Sequence, residues 1–126
     1  MVKIIQTTEA PAAIGTYSQA VQAGNTLYIS GQIALNPQTM QMVTGDFAAQ
    51  VQQVFENLKA IVTTAHATLA NVVKLQVYLC DINQFSIVNE VMAQYFEKPY
   101  PARAVVEVSR LPKDAAVEMD AIACLS

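Results

Sequence analysis

At 126 residues the chain fits one domain with one core and has no room for a cofactor domain beside a substrate domain. Hydrophobic residues make up 53% and charged residues 13%, against about 25% charged in an average soluble domain; this excludes disorder and predicts that part of the surface is hidden against copies of the same chain. No apolar run approaches the roughly 20 residues of a membrane span, and a net charge of −3 with a pI near 4.9 argues against nucleic acid, whose backbone is gripped by clustered Lys and Arg.

Met1 to Gly15 carries one Lys and no long apolar stretch, so no secretory signal is read there and a cytoplasmic location is expected. Thr26 to Ser30 alternates as a strand does. From Phe47 the positions Val51, Val54, Phe55, Leu58, Ile61, Val62 and Ala65 follow steps of three and four, one face of an amphipathic helix with Asp46 as N-cap and no capping box. Val73, Leu75, Val77 and Leu79 alternate with Lys74, Gln76 and Tyr78 and predict a second strand. A second helix is expected from a cap at Asn83 through Phe85, Val88, Val91, Met92, Tyr95 and Phe96, ending before Pro99 and Pro101. Arg103–Ser109 and Ala116–Cys124 flank the turn-rich segment 110–114, which reads as the closure of a hairpin. The sum is an α+β domain spanning 1–126, with both helices on one face of one sheet. Cys80 and Cys124 match no metal spacing and are read as two buried free thiols.

Strand parity adds a prediction about faces. In the last strand Val117, Met119, Ala121 and Ala123 share one side and Glu118 the other; Ala104, Val106 and Val108 share one side and Arg103 the other. With the small apolar sets under the helices, Arg103 and Glu118 both point to the helix-free face, where a neighbouring subunit encloses them.

The parts for most chemistries are missing. There is no Gly-rich phosphate loop, no paired CxxC and only one histidine, His66, at the end of the first helix, where it reads as structural. Arg103 follows the stiff segment Pro99-Tyr100-Pro101-Ala102 and suits either a carboxylate clamp or a surface ion pair. Glu118 has apolar neighbours and suits either a proton relay or an ion pair with Arg103. Tyr17 and Tyr100 are either pocket walls or ordinary packing, and Gly31 either brings backbone N–H groups to a ligand or marks a bulge.

Pro101-Ala102-Arg103-Ala104, Val108 to Asp114 and Val117 to Ala123 resemble the C-terminal signature of the RidA (YjgF-type) family. Ala10 to Ala20 and Ser30-Gly31-Gln32-Ile33 resemble its N-terminal and central motifs, so the similarity spans nearly the whole chain. The resemblance implies a chorismate-mutase-like, single-layer mixed sheet in a homotrimer with a central barrel. It also implies a cofactor-free and metal-free hydrolase that converts enamine/imine acids (2-aminoacrylate, 2-iminopropanoate, 2-iminobutanoate) to 2-oxo acids and ammonia. By motif, Arg103 holds the substrate carboxylate and Glu118 positions water and shuttles protons, with Tyr17, Ser30, Gly31 and the weaker candidate Asn89 lining the cleft. Val105 stands where many relatives have Cys, and Thr16 where many have Pro. Two alternatives remain: a small-acid-binding trimer without turnover, and an RNA-cleaving translation inhibitor, which the acidic pI disfavours. The deaminase assignment requires Arg103 and Glu118 to meet in a buried crevice sealed by another protomer; it falls if the two groups lie on opposite sides of the sheet, or if a solitary monomer leaves both fully hydrated.

Overall fold

The computed structural model describes residues 2–125. In chain order its elements are β1 (Val2–Ile5), β2 (Ala20–Ala23), β3 (Thr26–Gln32), α1 (Phe47–Thr64), β4 (Val72–Leu79), α2 (Phe85–Tyr95), β5 (Ala102–Glu107) and β6 (Val117–Cys124). The strands form one sheet in the order β1-β2-β3-β6-β4-β5. Every neighbouring pair is antiparallel except β4 and β5, which run parallel because α2 carries the chain back across the sheet.

The core lies between one face of this sheet and the two helices. Asp46 caps α1 by accepting from the Ala49 backbone N–H at 3.0 Å, and Val51, Val54, Phe55, Leu58, Ile61 and Val62 are buried as the periodicity predicts. Leu75, Val77 and Leu79 of β4 and Val117, Met119, Ala121 and Ala123 of β6 face them. Phe55 fastens the two helices together, with ring centroids 5.2 Å from Tyr95 and 5.6 Å from Phe96.

The predicted C-terminal hairpin does not form. β5 and β6 are separated by β4, which pairs with both. The 110–114 segment is turn-rich as read, but it crosses the end of β4 instead of reversing between neighbours. Parallel pairing of β4 with β5 through α2 satisfies β5 on one edge and leaves its other edge open. Asn83 is not the cap of α2: Asp81 caps a 3-10 turn over Ile82–Gln84 by accepting from the Asn83 N–H at 3.0 Å, and α2 continues from that turn. Val73 is exposed, because a register shift between Val72 and Lys74 takes it out of the alternation. Cys80 and Cys124 are free but exposed, not buried: Cys80 lies just past the end of β4, and Cys124 alternates with the buried Ala123 onto the helix-free face.

Candidate active site

Register decides where the predicted residues point, because residues directly opposite on neighbouring strands share a face. Ile5, Ala20, Ile29, Ala121, Leu75 and Arg103 form one row across all six strands. The first five are buried under the helices, so Arg103 emerges on the helix side at the open edge. Glu118 belongs to another row, opposite Tyr78 and on the helix-free face. The expectation that Arg103 and Glu118 share the helix-free face is therefore overturned. Parity alone did not settle β5, whose two sides are both apolar: Val105 packs on the core and Val106, the residue chosen for that side, is exposed.

The candidates divide into two clefts. On the helix side, a cleft of about 500 Å³ is lined by Asn89, Met92, Tyr100, Pro101 and Arg103. The Arg103 guanidinium donates to Asn89 Oδ1 at 2.5 Å and lies 3.7 Å from the Met92 sulfur, so α2 aims it. Among the described residues the one ion pair joins Arg110 and Asp114, which leaves Arg103 with no carboxylate partner. A guanidinium held on one nitrogen by a neutral amide keeps its remaining donors for a planar anion.

On the other side, a cleft of about 570 Å³ is lined by Tyr17, Ser30, Gly31, Pro112, Lys113 and Glu118, among others. Three residues advance on β3 from Ile29 to Gln32 while two advance on β6 from Ala121 to Met119. Ser30 and Gly31 thus form a β-bulge, which widens the strand toward Glu118. The Ser30 hydroxyl donates to the Ser18 carbonyl at 2.5 Å and ties the Tyr17 loop to this bulge. Gly31 is required by close approach, since a Cβ there would collide with the Glu118 carboxylate. Glu118 is half-buried, and its carboxyl is pushed above the usual range first by burial and then by the charge of Asp120. Lys113 at the cleft rim has a left-handed φ of 56°, uncommon for a residue with a Cβ.

Sequence reasoning missed three supports. Gln19 is buried at 3% exposure; its side chain accepts from the Thr7 N–H at 2.7 Å and donates to the Thr7, Ala10 and Pro11 carbonyls, stitching down the segment that leads to Tyr17. Asn57, fully buried on the apolar face of α1, donates to the Ile33 and Leu35 carbonyls just after the bulge. An asparagine within a hydrophobic stripe was the available signal. Met92 touches Arg103 and was read only as core. His66 follows the end of α1, exposed and in neither cleft lining, with φ 63°. Among the described residues no group of three or more His, Cys, Asp or Glu is placed to hold a metal, and no helix is long and apolar enough to cross a membrane.

Comparison with known proteins gives the family. Residues 7–125 match the family model described as Endoribonuclease L-PSP. The chain belongs to this family, the RidA (YjgF-type) family. It is 52% identical to a RutC family protein of Pyrococcus horikoshii, with 98% of each chain covered. It is 48% identical to a protein of Dermatophagoides farinae named 2-iminobutanoate/2-iminopropanoate deaminase, over 95% of this chain and 94% of that one. The crystal structure of RidA from an Antarctic Psychrobacter species superposes with a TM-score of 0.94 at 52% identity, covering 97% of this chain and 98% of the other. This RidA-family sheet, with its two helices on one face, is the α+β architecture read from the sequence.

Proposed function

We propose that the protein is a 2-iminobutanoate/2-iminopropanoate deaminase whose site is assembled between protomers of a homotrimer, the 1–126 domain being the repeated unit. One chain supplies Arg103 and Asn89, and its neighbour supplies Glu118, Tyr17, Ser30 and Gly31. Within one chain Arg103 and Glu118 lie on opposite faces of the sheet, the outcome set against the assignment as read from the sequence; the two-cleft arrangement and the relatives named deaminase support the reading in a form where the two groups come from different chains. The single strongest observation is that each cleft holds half of a hydrolytic kit: a guanidinium without an anion on one face, and a carboxyl of raised proton affinity beside a glycine bulge on the other. The helix-free face also exposes Val2, Ile4, Tyr28 and Val106, an apolar area for a second copy to cover.

Arg103 grips the substrate carboxylate with two parallel hydrogen bonds and fixes the imine carbon over the opposing cleft. Water adds to that carbon, and Glu118 moves protons between water and nitrogen until the C–N bond breaks and ammonia leaves a 2-oxo acid. The imine is already electrophilic, so orientation and one proton relay suffice and no covalent nucleophile is required. The family description also names an endoribonuclease. A net charge of −3 and a single histidine outside both clefts favour the small-acid substrate.

The test couples the protein to threonine dehydratase and threonine. Formation of 2-oxobutanoate is expected to accelerate with the wild type and not with Arg103→Ala, at unchanged oligomeric state. Equal rates with the two proteins refute the carboxylate grip. Saturable binding of a 2-oxo acid without imine consumption identifies a binding module instead.

A further inference from the structure

The helix-free face carries a second carboxylate to which the hydrolytic scheme gives no role. Asp120 lies two residues beyond Glu118 on the same face of β6 and stands opposite the Ser30–Gly31 bulge. On β4, Tyr78 is the direct cross-strand partner of Glu118, and Gln76 is the partner of Asp120. The Tyr78 side chain runs diagonally, and its hydroxyl donates to Asp120 Oδ2 at 3.1 Å. A phenol that pairs with Glu118 in register thus spends its hydrogen bond on the neighbouring carboxylate.

We propose that Asp120, two residues from Glu118 along the same face of β6 and anchored by the Tyr78 hydroxyl, is a positioning residue for proton transfer by Glu118, so that Glu118 acts first as an acid. Resting on the deaminase reading, this assigns the order of proton transfers. Glu118 gives its proton to the imine nitrogen, making an iminium. Water then adds to the carbon, the C–O bond forms as the C=N π pair moves to nitrogen, and the surplus water proton returns to Glu118. A second donation from Glu118 to the amine lets the C–N bond break with its electron pair. The hydroxyl proton of the collapsing intermediate restores the acid as the 2-oxo acid and ammonia depart. Start and end states of Glu118 coincide, as turnover requires.

The groups facing Glu118 act in both directions. Burial is the largest influence raising its proton affinity, and Asp120 is the second. Lys113 in the same cleft and Lys74 further along the same face of β4 oppose them, as does the neighbour's Arg103 in the assembled site. Tyr17, Ser30 and Tyr78 are neutral contributors.

The experiment titrates the intact oligomer with glutamate side chains labelled at the carboxyl carbon, the Glu118 resonance being the one lost in Glu118→Gln. Asp120→Asn keeps the shape and still accepts from Tyr78 but removes the charge; the Glu118 midpoint is expected to move to lower pH. The pH profile of 2-oxobutanoate formation is expected to move the same way, with a several-fold loss of rate on its alkaline side. Asp120→Glu, which keeps the charge, is expected to restore both. An unmoved midpoint in Asp120→Asn overturns the proposal, and so does a moved midpoint with an unmoved rate profile. A wild type that shows the midpoint shift on substitution yet turns over no imine leaves the Asp120–Glu118 coupling standing, removes the acid-first cycle, and sinks the deaminase reading itself.

Discussion

Gly31 and Glu118 meet at the β3 bulge so closely that a methyl group on Gly31 would occupy the space of the carboxylate. The far end of a glutamate is flexible, so Gly31→Ala is accommodated by swinging the carboxyl out of the cleft and the chain remains folded. Imine hydrolysis is expected to fall by roughly a hundredfold, the scale of an ångström-sized misplacement of a reacting group, while the thermal midpoint changes little. Retained activity in a folded Gly31→Ala protein refutes catalysis by Glu118 from its observed position.

Assembly of each site from two chains predicts complementation. Arg103→Ala and Glu118→Gln homo-oligomers are each expected to be inactive. After unfolding and refolding as an equal mixture, about a quarter of the wild-type activity is expected to return, because about a quarter of the interfaces then combine an intact Arg103 with an intact Glu118. No recovery in demonstrably mixed oligomers places both groups' work in one chain.

Much of this architecture was legible from residue spacing. The Phe47–Thr64 helix, its Asp46 cap and the buried set Val117, Met119, Ala121 and Ala123 follow from apolar periods of 3.6 and 2. The partner of β5 was not legible: pairing is a non-local choice, and turn residues at 110–114 look alike whether the chain reverses or crosses a strand. That error propagated to the site. Without β4 as neighbour there was no row linking Arg103 to Leu75, and a strand with Val105 on one side and Val106 on the other offers no unique inside. Motif resemblance named Arg103, Asn89, Glu118 and the Tyr17–Gly31 group without showing that they form two sets. The buried stitches of Gln19 and Asn57 to backbone carbonyls left little trace, since a polar residue advertises its partners only once the chain is folded.

Glu118 also predicts a trade of stability for chemistry. Its folded proton affinity is raised, with burial the main cause, so ionisation is harder in the folded chain than in the unfolded one. The stabilising balance is complete below the unfolded value for a glutamate and is lost as pH rises through the higher folded value, so that the hindered ionisation of this carboxyl is a burden on the fold at neutral pH. Glu118→Gln, uncharged and similar in shape, is expected to raise the thermal midpoint at pH 7, with the gain shrinking as the medium is acidified through that window. A gain that is the same at acid and neutral pH, or none, contradicts the desolvation of this carboxyl.

At the opposite side of the molecule, Tyr95 predicts an alkaline limit to the helix–helix packing. Its hydroxyl donates to Glu56 Oε2 at 2.7 Å, joining α2 to α1 beside the Phe55 ring. Burial, and then the Glu56 carboxylate, push the phenol up to about 12 from an ordinary value of 10.0. A raised folded value means that the proton is held more tightly in the folded chain; the stabilisation is whole below 10.0 and disappears as pH climbs toward about 12. Above that range a phenolate would face a carboxylate across the helix pair, and the hydrogen bond that joined them would be gone. Thermal unfolding of the wild type and Tyr95→Phe across this range checks it. The wild type is expected to be the more stable protein at neutral pH and to lose that advantage through the alkaline window, whereas a difference that stays constant to the top of the range removes Tyr95 ionisation from the account.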